Sequence, residues 1–121
     1  MQTILELTDS NYTSFIEESS SAIFIDFYSP TCGPCQTLMA YLPRIADNYK
    51  DDNVVIAKVD VSINPKLAKK FMVQSVPLIV IIGDDKMVKS AEVGLARINK
   101  YFNMIDKELG KNRGFFSKLF G

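Results

Sequence analysis

Histidine is absent from this chain of 121 residues, and so is tryptophan. Without histidine the commonest metal ligand and the commonest general base are missing, and a Ser-His-Asp or Cys-His hydrolase is excluded. Cysteine occurs only twice, and two thiolates do not close a four-ligand zinc site within one chain. Net charge is missing too. Fourteen basic residues balance fourteen acidic ones, which leaves no whole-chain basic field for gripping phosphates, so no nucleic-acid partner is expected. No stretch approaches the about 18 continuous apolar residues that a membrane-spanning helix needs. The first nine residues, Met1 to Asp9, carry no basic lead and only a broken apolar run, a poor match to a cleavable signal peptide. Together these absences lead to the expectation of a soluble protein in a reducing compartment, the cytoplasm. There a close cysteine pair points to redox or metal chemistry more than to a structural bridge.

What is present suits one domain with a real core. The chain is 47% hydrophobic and 23% charged, ordinary for a globular protein and sufficient without disulfide staples. Alternation over Thr3–Leu7 predicts a short strand, and Thr8-Asp9-Ser10 offers N-caps for a helix reaching Ser19, with Tyr12, Phe15 and Ile16 on one face. Ala22–Tyr28 is an apolar run interrupted only by Asp26, the pattern of a strand covered on both faces. A second helix opens at Cys32-Gly33-Pro34-Cys35, where Cys35, Leu38, Met39, Leu42, Ile45, Ala46 and Tyr49 form a stripe. Pro43 lies inside it and is expected to kink it near Met39–Leu42. Val54–Val59 reads as a buried strand holding one charge, Lys58, followed by a short helix over Pro65–Met72. Leu78–Ile82 is a third buried strand, and a turn at Gly83–Lys86 returns Met87–Val93 as its hairpin partner. The last helix is expected over Leu95–Leu109, with Leu95, Ile98, Phe102, Ile105 and Leu109 on one stripe. The order β-α-β-α-β-α-β-β-α predicts an α/β domain with a parallel portion, helices on both faces and a closing antiparallel edge.

The sharpest chemical signal is Cys32-Gly33-Pro34-Cys35, at the seam between a buried strand and a helix. Two intervening residues bring both sulfurs within bonding reach. Cys32 falls at the helix N-terminus, where unpaired N–H groups and the positive end of the dipole favour thiolate over thiol. Such a thiolate attacks a substrate disulfide, and the second thiol then attacks the mixed disulfide and releases reduced substrate. Cys35, one turn in, is expected to be more buried and to act second. Pro34 is suited to a first helical turn and Gly33 lets a partner's backbone approach. The bland alternative is a half zinc site or two ordinary core cysteines. A carboxylate in an apolar strand, Asp26 is expected to have a raised pKa. The strand alone leaves a second account open, in which Asp26 and Lys58 cap or snorkel at strand ends.

These residues resemble the thioredoxin family over about 3–109, through Asp26-Phe27, Cys32-Gly33-Pro34-Cys35, Lys58, Val76-Pro77 and Val93-Gly94 in order and spacing. The resemblance implies a thioredoxin fold: one domain, a central five-stranded mixed sheet and four helices. It implies a cis peptide at Val76-Pro77 packed against the active-site disulfide, with Pro77 supporting the site. It places Asp26 behind Cys35 as proton acceptor, with Lys58 offsetting its burial. It makes Val76, Val93 and Gly94 the substrate groove, beside Tyr28 and Thr31. It implies a protein-disulfide reductase with no cofactor beyond its own cysteine pair, acting on disulfide-containing proteins as a monomer and recycled by a thioredoxin reductase. Two rival readings are a groove that clamps a partner as a structural subunit, with the cysteines incidental, and the same exchange run as an oxidase or isomerase.

The chain departs from the family pattern where tryptophan is usual: Thr31 precedes the first cysteine and Tyr28 ends the strand. Pro30 is unexpected, and Pro43 comes three residues later than the family's helix proline. These changes shrink the apolar rim beside Cys32 and bear on partner choice, including the reductase. Residues 110–121 lie beyond the resemblance. Phe115, Phe116, Leu119 and Phe120 are spaced for one helical face, and from Lys107 onward four basic residues meet one acidic, a balance of +3. A membrane or partner contact is conceivable for such a segment, but the expectation is that it folds back, frays or extends the last helix.

Overall fold

The three apolar runs form the centre of a five-stranded sheet in a computed structural model that describes residues 3–111. The elements are β1 (Leu5–Glu6), α1 (Tyr12–Glu18), β2 (Ala22–Tyr28), α2 (Gly33–Asn48), β3 (Val54–Asp60), α3 (Pro65–Lys70), β4 (Leu78–Ile82), β5 (Val88–Val93) and α4 (Ile98–Glu108). The strand order is β1-β3-β2-β4-β5. The pairs β1/β3 and β3/β2 are parallel, whereas β2/β4 and β4/β5 are antiparallel. The expected class and element order are therefore found. The long helical crossovers give the parallel half, and the turn at Gly83–Lys86, closed by the Gly83 N–H to Met87 O bond at 2.9 Å, gives the hairpin.

Period-two alternation in the central strands divides the core in two. Phe24, Ile56, Ile79 and Ile81 pack with Leu38, Leu42, Ile45 and Tyr49 of α2 and Tyr101 and Ile105 of α4. Ile23, Ile25, Phe27, Val59 and Val80 pack on the other face with Tyr12 and Leu67. A strand sandwiched between two such layers needs apolar residues at successive positions, which is why β4 reads as an unbroken run and β2 as one interrupted only by Asp26. The α2/α4 layer is pinned by Tyr49, whose hydroxyl donates to Asp106 Oδ1 at 2.6 Å and to Phe102 O at 3.0 Å.

Several boundaries differ from the sequence expectation. β1 shrinks to the two residues that find partners on β3, Leu5 opposite Ala57 and Glu6 opposite Lys58. α3 stops at Lys70, because Met72 turns to φ +51. α4 begins at Ile98, not Leu95. Arg97 is extended (ψ 149), the Ala96 N–H donates to the Tyr101 hydroxyl at 2.8 Å, and Leu95 is exposed. Pro43 lies on an exposed position within α2, which is assigned as one helix from Gly33 to Asn48. After α4, Gly110 takes φ +75, and Lys111 donates from its N–H to Asp106 O at 2.7 Å and pairs with Asp52 at 2.6 Å. The expectations for the aromatic segment from Phe115 onward lie outside the described residues. Among those residues no helix is long and apolar enough to cross a membrane.

Candidate active site

The C-terminal ends of β2 and β3 and the N-terminal end of α2 meet at one edge of the sheet. There Ser29 O accepts the N–H of Cys32 at 3.2 Å and turns the chain out of β2. Cys32 is the N-cap of α2, with extended backbone (φ −89, ψ 117), and its sulfur accepts the N–H of Cys35 at 3.2 Å. That contact meets one of the donors a helix start leaves unpaired. Gly33 and Pro34 occupy the first two helical positions, both exposed. The ring of Pro34 removes an N–H that had no intrahelical partner, and a side chain at Gly33 would meet nothing within 4 Å. Cys32 and Cys35 are joined as a disulfide with their Cα atoms 5.2 Å apart, within the ordinary bridging range. Cys32 is partly exposed, whereas Cys35 is fully buried as the first member of the α2 stripe.

The wall facing this disulfide comes from the start of β4. The Val76-Pro77 bond is cis, Pro77 is buried, and Val76 O lies 3.8 Å from Cys32 Sγ. The β4/β5 ladder pairs Leu78 with Val93 and continues one step further, the Gly94 N–H donating to Pro77 O at 2.9 Å. Gly94 holds φ +83, a conformation natural to glycine, and has open space on its Cβ side. Val93 and Gly94 thus lie alongside Leu78 and Pro77, next in the chain to Val76, and Val93 is 67% exposed. Thr31 is exposed, its hydroxyl 3.2 Å from that of Ser29.

Asp26 is the fifth residue of β2 and is fully buried. It is neither at a strand end nor snorkelling. It shares the α2 side of the sheet with Phe24, and α2 is the helix that carries Cys35. Among the described residues neither carboxyl oxygen has a hydrogen-bond partner. Desolvation lifts its pKa to about 7, and the positive charge of Lys58 only partly opposes the rise. Lys58 stands directly opposite Asp26 on β3. Its ammonium lies 3.6 Å from Glu6 Oε1 and 5.9 Å from the centre of the Tyr28 ring. The Tyr28 hydroxyl donates to Glu6 at 3.3 Å, and burial together with the Glu6 charge pushes its pKa up to about 12. Glu6 is the participant the sequence reading passed over. A two-residue strand carries no periodic signal, and only the pairing of β1 with β3 reveals the contact.

A bridged cysteine pair at the start of a helix, faced by a cis-proline wall, on a five-stranded mixed sheet with four helices, defines the class: dithiol/disulfide oxidoreductases on a thioredoxin fold. The Thioredoxin family model matches residues 3–107. The thioredoxin of Chlorobaculum thiosulfatiphilum is 34% identical over 105 residues, covering 87% of this chain and 95% of that one. Thioredoxin 1 of Synechococcus elongatus is 31% identical over 109 residues, covering 90% and 100%. The thioredoxin of Staphylococcus haemolyticus is 34% identical over 106 residues, covering 88% and 98%. The chain belongs to the thioredoxin family, and its activity is thiol-disulfide exchange, that of a thioredoxin-type disulfide reductase.

Proposed function

We propose that Cys32 is the nucleophile of this exchange and Cys35 the resolving thiol. In the reduced protein the Cys32 thiolate attacks one sulfur of a substrate disulfide. A bond forms between them, the substrate S–S bond breaks, and the substrate's other sulfur leaves as a thiolate that takes up a proton. The Cys35 thiol then gives its proton to Asp26 and attacks Cys32 Sγ. The mixed disulfide breaks, the second substrate sulfur leaves, and the protein is left with the Cys32–Cys35 bridge. Two electrons pass to the substrate, and a thioredoxin reductase returns them. The cysteine pair is itself the redox group, so no further cofactor enters, and the protein acts as a monomer. Running the exchange in this direction needs a compartment that keeps supplying electrons, as the cytoplasm does.

The observation that carries the assignment is the contrast between the two sulfurs. One is partly open at the helix start, with the Cys35 N–H aimed at it, and the other is sealed. Asp26 supports the second step, since a carboxyl with a pKa of about 7 is half-ionised near neutrality and both accepts and returns a proton there. Val76, Val93 and Gly94 suit an extended substrate segment laid beside Cys32, with Tyr28 and Thr31 at its margin. The test is trapping. Cys35→Ser is expected to accumulate mixed disulfides through Cys32 when given an oxidised protein substrate, and Cys32→Ser is expected to accumulate none. Adducts on Cys35 in the second variant, with none on Cys32 in the first, reverse the roles.

A further inference from the structure

One row of residues crosses three strands beneath the active site. The parallel registers place Glu6 of β1 against Lys58 of β3, and Lys58 against Asp26 of β2. Parallel neighbours at the same level point their side chains to the same side of the sheet, with strands about 4.8 Å apart. A single cation therefore stands between two carboxyl groups, one open and one sealed. The Glu6 side chain is 45% exposed and the Lys58 side chain 29%. Glu6 holds the ammonium at 3.6 Å, and Tyr28 closes a triangle around it, the ring beneath the cation and the hydroxyl on Glu6. Among the described residues, Asp26 has no hydrogen bond to the ammonium or to any other group.

We propose that Glu6 sets the protonation of Asp26 indirectly, by holding the Lys58 ammonium at the outer side of the row and away from the buried carboxyl. Among the described residues, Lys58 is the cation that acts on Asp26. β4 presents Ile79 at this level and β5 presents Glu92, which is paired with Lys100 of α4 at 3.7 Å. α4 contributes the Tyr101 phenol, and Asp60 at the end of β3 is a further anion beside Tyr28. Lys58 is the cation whose position decides how far Asp26 is neutralised, and Glu6 is what anchors it. Glu6 is thus a positioning residue, and its bearing on turnover rests on Asp26 being the proton acceptor proposed above.

The experiment follows the Asp26 carboxyl directly, by its carbon-13 chemical shift against pH in the oxidised full-length protein. Glu6→Gln keeps an acceptor for the Tyr28 hydroxyl and removes the charge. It is expected to lower the Asp26 midpoint by about 0.5 unit or more, as the released ammonium approaches the carboxyl. The same substitution in a Lys58→Met background, with Lys58→Gln serving if the Met variant does not fold, is expected to move the midpoint far less. An unmoved midpoint in Glu6→Gln overturns the proposal, and so does an equal shift in both backgrounds, which marks a direct charge effect. The pH profile of mixed-disulfide resolution separates this inference from the reading beneath it. A moved titration with an unmoved profile upholds the Glu6 coupling and removes Asp26 from the chemistry.

Discussion

Asp26 costs this protein stability as its carboxyl ionises, and Asp26→Ala exposes that. The carboxyl is fully buried without a hydrogen bond and titrates at about 7 in the folded state, against 3.8 when unperturbed. Because the folded pKa lies above the unfolded one, the unfolded state releases its proton first. The contribution of Asp26 to stability is complete below pH 3.8, is lost as pH rises through about 7, and levels off above it. At about 1.36 kcal/mol per unit, the displacement from 3.8 to about 7 amounts to roughly 4 kcal/mol of stability lost by alkaline pH. Alanine removes the titration but leaves a small cavity, worth about 1 kcal/mol against the variant. The variant is therefore expected to be more stable than the parent by roughly 2–3 kcal/mol at pH 8.5, and equal or slightly less stable at pH 4. Denaturant unfolding of the oxidised proteins at a series of pH values reads both curves. Parallel curves, with a constant difference from pH 4 to 8.5, refute the claim that Asp26 is a buried, unpaired acid.

Other expectations follow from the groove and its backbone. Gly94→Ala meets no atom within 4 Å, so any loss comes from φ +83 alone. It is expected to destabilise by about 1–2 kcal/mol, and urea midpoints check it. Val93→Asp is expected to leave stability within about 0.5 kcal/mol, since the side chain is exposed, while raising KM for a protein disulfide more than for a small aliphatic one. Equal effects on both substrates exclude Val93 from the docking groove.

Much of this architecture was legible because burial dictates it. Leu78–Ile82, apolar at every position, and Ala22–Tyr28, apolar but for Asp26, read as strands with both faces covered, and both faces are. The cysteine motif was legible because a helix start, a proline in its first turn and a spacing of three residues all act locally. The boundaries were less legible, because apolar spacing outlasts the helix. Leu95 continues the stripe of α4, yet the chain leaving β5 through Gly94 stays extended until Arg97. Tyr101, fully buried between α4 and the sheet and 6.0 Å from the Phe24 ring, was absent from the expected stripe. Asp26 illustrates the limit most clearly. Sequence gives a charge within an apolar run, but whether it caps a strand or lies sealed beside Lys58 depends on registers between strands far apart in the chain. The Glu6 contact depends on such a register too.

The central claim is that the start of α2 makes the Cys32 sulfur anionic and reachable while Cys35 stays sealed. Alkylation of the reduced protein with limiting iodoacetamide across pH, with each site quantified by mass spectrometry, tests it most directly. The account predicts that Cys32 is modified first, with an apparent pKa below the about 8.5 of an ordinary thiol. Modification of Cys35 first, or a Cys32 midpoint at or above that value, contradicts it.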